Sequence, residues 1–223
     1  NLVAQLETES LADKAAEFKT TNNDDTIGWI RIPNTNVDYP VVYKAGVENY
    51  AYYESKGYDK QYSKDGVIWA DYECTFPELS QNTTLYGHNW HNIYTPRTQA
   101  NMQANDLMFS LVMSYNYTDF AQENPFIYFS TTEQDYVFQV FASYYTDLNF
   151  GYNYAQMSQE DFQKVIAEAK AKSLSNYNVP VTSEDKIVTL STCTRVHGNT
   201  NNQRFVVMAK LVPVGTPSTT IST

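Results

Sequence analysis

The chain has 223 residues, 42% of them apolar, enough for one sizeable domain. A formal net charge of −10 leaves no basic stripe to displace counterions from phosphates, which argues against a nucleic-acid partner. No apolar run approaches the ~20 residues needed to span a bilayer. Two cysteines do not make a disulfide framework, and the Cys/His spacing of a metal site is absent.

In chain order, residues 1–20 read as a helix, with Leu11, Ala15 and Phe18 on one face. The pattern then alternates through Gly28-Trp29-Ile30-Arg31-Ile32-Pro33, turns at Asn34-Thr35-Asn36, and resumes as β over residues 37–43. Asn49 to Tyr53 is an aromatic cluster, and Gly66 to Ala70 a short strand of the buried type. Asn82 to Asn89 is a strand running into a Gly-marked turn with His88 at its end. Residues 106–115 read as a helix with Leu107, Met108, Leu111, Val112 and Tyr115 on one face, stopped by Asn124-Pro125. Residues 126–129 and 136–145 read as a hairpin. Ser158-Gln159-Glu160-Asp161 opens a helix carrying Phe162, Val165, Ile166 and Ala169 on one face. Residues 187–192 and 205–212 are the last strands, and residues 213–223 a Pro/Ser/Thr tail expected to be disordered. About eight strands and two or three helices, with no βαβ alternation and no glycine-rich phosphate loop, describe a β-dominated barrel or closed sandwich.

Cys193 ends the run Thr189-Leu190-Ser191-Thr192-Cys193, and Arg204 opens the next strand eleven residues later. A thiol nucleophile acts as its thiolate and needs a base or cation close by. Of the three histidines, His88 is the best placed, at a strand end after a glycine; His91 and His197 lie in polar loops. Acyl transfer also needs a group that stabilises the developing oxyanion. Arg204 and Arg195 are the candidates, Arg204 favoured because its strand is suited to lie antiparallel to that of Cys193. Cys74 has no basic neighbour in the sequence and reads as a structural thiol. A Cys74–Cys193 bridge would consume the nucleophile and is disfavoured.

These segments resemble the sortase family. Thr189-Leu190-Ser191-Thr192-Cys193 is similar to its TLxTC signature, Asn82 to Asn89 to its histidine segment, and Arg204-Phe205-Val206-Val207 to its arginine strand. The run Gly28 to Val42 resembles the start of its domain. The serine in TLSTC, the N-terminal helix and the helix at residues 158–172 before the cysteine strand point to class B. The resemblance implies an eight-stranded sortase-type β-barrel over residues 26–212, preceded by a helical segment at residues 1–25.

It also implies a cysteine transpeptidase that cleaves a sorting signal after threonine, forms a thioester and passes the surface protein to an amino group of a peptidoglycan precursor. Cys193 would be the nucleophile, His88 the proton-transfer partner and Arg204 the oxyanion or positioning group. Tyr86, Ser191, Thr192 and Asn49 would line the substrate groove. No metal and no cofactor is expected. Such enzymes act on the outer face of the membrane, tethered by an N-terminal segment that this sequence does not contain, so the chain is expected to be a soluble ectodomain. Two other readings make different structural demands. A caspase-like protease requires a parallel α/β sheet, and a non-catalytic surface β domain makes the Cys/His/Arg trio a coincidence.

Overall fold

The computed structural model describes residues 9–213. Residues 1–8, where the N-terminal helix was expected to begin, and the expected tail beyond Pro213 lie outside the described residues.

Eight strands close into a barrel: β1 (Thr26–Arg31), β2 (Asp38–Val42), β3 (Ile68–Ala70), β4 (Asn82–Tyr86), β5 (Phe126–Thr131), β6 (Asp135–Asp147), β7 (Ile187–Cys193) and β8 (Gln203–Leu211). Around the barrel the order is β1-β2-β3-β4-β7-β8-β6-β5, with β5 pairing back onto β1. Two neighbouring pairs, β2–β3 and β4–β7, are parallel; the others are antiparallel. This is the closed architecture expected from the sequence, and it rules out the parallel sheet that a caspase-like enzyme requires.

Strand alternation sorts the side chains into two apolar layers. Ile30, Val41, Leu85, Phe129, Val140, Val188, Leu190, Phe205 and Val207 fill one buried cluster. On the other face of β6, β7 and β8, Tyr144, Ile187, Val206 and Met208 meet Phe162, Ile166 and Ala169 of helix α3 (Gln159–Lys172). Burial of Phe162 and of Ile166 contributes about 1.5–3 kcal/mol each. Ser158 caps this helix, its hydroxyl accepting from the Asp161 amide at 3.1 Å. Helix α1 (Leu11–Thr21) is capped by Ser10, buries Leu11, Ala12 and Ala15, and sets Phe18 edge-on to Trp29 and Tyr58.

The segment at residues 106–115 departs from expectation. It is not an α-helix; a 3₁₀ stretch runs over Ser110–Asn116, followed by the short helix α2 (Thr118–Glu123). Asp106 is fully buried in a two-pronged ion pair with Arg97, Nε–Oδ2 2.8 Å and Nη2–Oδ1 2.9 Å. Met108 takes a left-handed φ of 52°, which an α-helix does not tolerate. Leu107, expected on the buried face, is turned to solvent. Asn124 does end α2, its amide N–H bonding the Phe120 carbonyl.

Candidate active site

The parallel β4–β7 pair and the antiparallel β7–β8 pair bring three distant segments to one end of the barrel. Tyr86 is in register with Ser191, so Gly87 and His88 continue alongside Thr192 and Cys193. Across the other edge of β7, Cys193 is paired directly with Arg204. Cys193, His88 and Arg204 all line one groove of about 320 Å³, together with Tyr86, Ser191 and Thr192.

Hydrogen bonds lock the two strand ends together. The Thr192 hydroxyl donates to the Gly87 carbonyl at 2.7 Å. The buried Asn89 amide donates to the Cys193 carbonyl at 3.2 Å and to the Asn92 carbonyl at 2.8 Å. These bonds fix where the chain carries His88 relative to the thiol. Gly87 has no room for a side chain, since a Cβ there would lie 2.6 Å from both Ile68 and Phe109. Cys193 is partly exposed and Cys74 buried; both are free thiols, so no bridge joins them.

Arg204 donates from Nη1 to the carbonyls of Asn201 and Gln203, both at 2.9 Å. Arg195, its rival in the sequence, is used elsewhere. Its backbone N–H bonds the Ile93 carbonyl at 2.7 Å, and its guanidinium bonds Thr194 O and Asn201 Oδ1, both at 2.8 Å. It braces the β7–β8 loop and is not among the groove-lining residues. His197 is exposed, edge-on to Tyr145 at 4.5 Å, beside a separate hollow of about 500 Å³ that holds neither Cys193 nor His88. His91 is exposed too.

One wall of the groove is a polar network. The Tyr86 hydroxyl donates to Asp71 Oδ2 at 2.7 Å and accepts from the Asn153 amide at 2.8 Å. Burial pushes both the Tyr86 phenol and the Asp71 carboxyl up, the latter partly offset by hydrogen bonds from the Glu73 amide and Tyr86. Tyr152 and Ser191 share a hydroxyl–hydroxyl bond of 2.8 Å, and burial raises the Tyr152 phenol. Ser191 is therefore tied into the wall by Tyr152.

Asn49 is the exception among the residues expected in the groove. It sits in the 3₁₀ turn Val47–Asn49, and its amide reaches back to the Ala45 carbonyl at 2.7 Å. Its neighbour Tyr50 lines the groove instead. Trp69, Asp71, Tyr72, Leu148, Tyr152 and Asn153 also line it and were not singled out from the sequence. The alternation of β3 is a signal that could have found Trp69, which lies between the buried Ile68 and Ala70.

Comparison with known proteins agrees with the geometry. Residues 30–212 match the model of the sortase domain. The chain is similar to sortase B of Staphylococcus aureus (strain NCTC 8325 / PS 47), 31% identical over 193 residues that cover 86% of this chain and 72% of that protein. It is 29% identical to sortase B of Listeria monocytogenes over 191 residues, 85% of this chain and 71% of that protein. A solved Staphylococcus aureus sortase B–substrate complex superposes with a TM-score of 0.75 at 27% identity, covering 96% of this chain and 90% of that one. With the barrel closed, the thiol at the end of β7 and the domain matched over most of its length, the chain belongs to the sortase family of cysteine transpeptidases.

Proposed function

We propose that Cys193 is the nucleophile, His88 the proton carrier and Arg204 the oxyanion-binding or substrate-positioning group. The observation that carries this reading is the register: Arg204 opposite Cys193 on one side, His88 at the same level on the other, in one groove. The Cys193 thiolate attacks the threonine carbonyl of a sorting signal, forming the carbon–sulfur bond. Arg204 holds the developing oxyanion. The carbon–nitrogen bond then breaks, and imidazolium His88 gives its proton to the leaving amine. An acceptor amine next attacks the thioester and passes its proton back to His88, and the thiolate leaves.

The substrate is a surface protein with a sorting signal of LPXTG-like or NPXTX-like type, and the acceptor an amine of a peptidoglycan precursor. The support is the family, together with a groove whose aromatic lining by Tyr50, Trp69, Tyr72, Tyr86 and Tyr152 suits an extended, proline-containing peptide. The enzyme works on the extracellular face of the membrane. Among the described residues no helix is long and apolar enough to cross a bilayer. A peptide-library cleavage assay tests the reading. Wild-type protein is expected to cut a narrow set of signals after threonine, with Cys193→Ala inert; equal cleavage by both would overturn it.

A further inference from the structure

Four features converge on the His88 ring. Its Nε2 lies 2.5 Å from the Glu54 carbonyl oxygen. Trp90 stacks on it at 5.1 Å between centroids and 28° between planes. Trp69 packs against it at 5.5 Å and 52°. Gly66, at a φ of 69°, lets backbone approach so closely that a Cβ there would lie 2.8 Å from the His88 Cδ2. Trp90 is itself held: its indole N–H donates to the Lys64 carbonyl at 2.9 Å. Yet Trp90 is 46% exposed, which is unusual for a tryptophan that serves only the core.

A carbonyl oxygen only accepts hydrogen bonds, so the nitrogen facing Glu54 carries a hydrogen. A neutral imidazole has one N–H, which leaves the lone pair on Nδ1. We propose that Trp90 is a positioning residue which, with Trp69 and the Glu54 carbonyl, holds His88 in the Nε2–H form so that Nδ1 is the atom that exchanges the proton. The inference rests on His88 being the proton carrier. Over a turnover Nε2 keeps its hydrogen and its bond to Glu54. Nδ1 takes the proton from the thiol, gives it to the leaving amine, takes another from the acceptor amine and returns it to the released thiolate. A ring free to flip would present Nε2–H or Nδ1 at random, and misplacement on the ångström scale costs on the order of 100-fold in rate.

The test compares Trp90→Ala, Trp90→Phe and His88→Ala in steady-state peptide transfer, with ¹⁵N-histidine spectra of the wild-type protein. Trp90→Ala is expected to lower kcat by roughly 10- to 100-fold with KM within about twofold, the pattern of a lost transition-state contribution. Trp90→Phe, which keeps a stacking face, is expected to recover most of the rate. The neutral His88 signal is expected to show the Nε2–H tautomer. Wild-type kcat in Trp90→Ala, or an Nδ1–H tautomer in the native spectrum, overturns the inference; the spectrum depends on no variant folding. His88→Ala separates the two levels. If it keeps turnover, the catalytic reading of His88 fails; if it loses turnover while Trp90→Ala does not, only the clamp is wrong.

Discussion

Cys74 and Cys193 are the same side chain in two environments. Cys74 is buried beyond the end of β3, its Sγ 3.8 Å from the Asn82 carbonyl, with Asp71 and Glu73 close by. Burial, reinforced by those two carboxylates, pushes its thiol up to about 12. Cys193 is partly exposed in the groove, with a guanidinium strand partner on one side and an imidazole-bearing strand end on the other. A thiol becomes a nucleophile through what its neighbouring strands supply, and the proposed function assigns that supply to the β4–β7–β8 corner.

The largest effect that separates the two is on turnover. Cys193→Ala is expected to reduce peptide cleavage to background, a loss on the order of 10⁴-fold or more, whereas Cys74→Ala stays within about twofold. Comparable losses in both variants would erase the distinction. Arg204→Ala is expected next, with kcat down by roughly 10²–10³-fold as for removal of an oxyanion donor. Arg195→Ala is expected to cost only a few-fold, because its guanidinium braces a loop. If Arg195→Ala proves the more damaging in the same kinetic assay, the assignment of the two arginines is reversed.

Smaller effects fall on stability. Cys74→Ala leaves a small void and is expected to cost about 1 kcal/mol in chemical denaturation, since the site is 2% exposed. The pH dependence of that stability has a definite sign. In the unfolded chain a thiol ionises near its ordinary value of 9.0, while folded Cys74 keeps its proton until about 12. Between those values the folded state holds more protons, so its contribution is complete below about pH 9 and is lost as pH rises toward 12. Half-buried Tyr58 and buried Tyr115 and Tyr144, whose phenols are also raised by desolvation, act in the same direction. Denaturation midpoints are therefore expected to fall from pH 8 to pH 11, slightly less steeply in Cys74→Ala. An identical slope in the two proteins would show that the thiol adds nothing to the alkaline loss.

Much of this arrangement is legible in the sequence because it is carried by short strand ends. Cys193, His88 and Arg204 each sit where a β-rich run stops or starts, and the barrel register needs only to bring those ends together. What the sequence conceals comes from long-range pairing. The wall of the groove joins Asp71, Tyr86 and Asn153, whose side chains meet across as many as 67 positions only after β4 has closed against its neighbours and the segment after β6 has folded over. Nor does apolar spacing at residues 106–115 disclose that Asp106 will be buried against Arg97 or that Met108 will break the helix. Asn49 is a groove residue by the family resemblance, but a 3₁₀ turn directs its amide onto its own backbone and leaves the groove to Tyr50.

The difference between the two thiols is most directly measured by intact-protein and peptide mass spectrometry after brief mixing with a cleavable sorting-signal peptide. The expected result is one acyl adduct, the mass of the fragment ending in threonine, on Cys193 alone, labile to hydroxylamine, chased by an added amine and absent in Cys193→Ala. An adduct on Cys74, or continued cleavage with no thioester at Cys193, would contradict it.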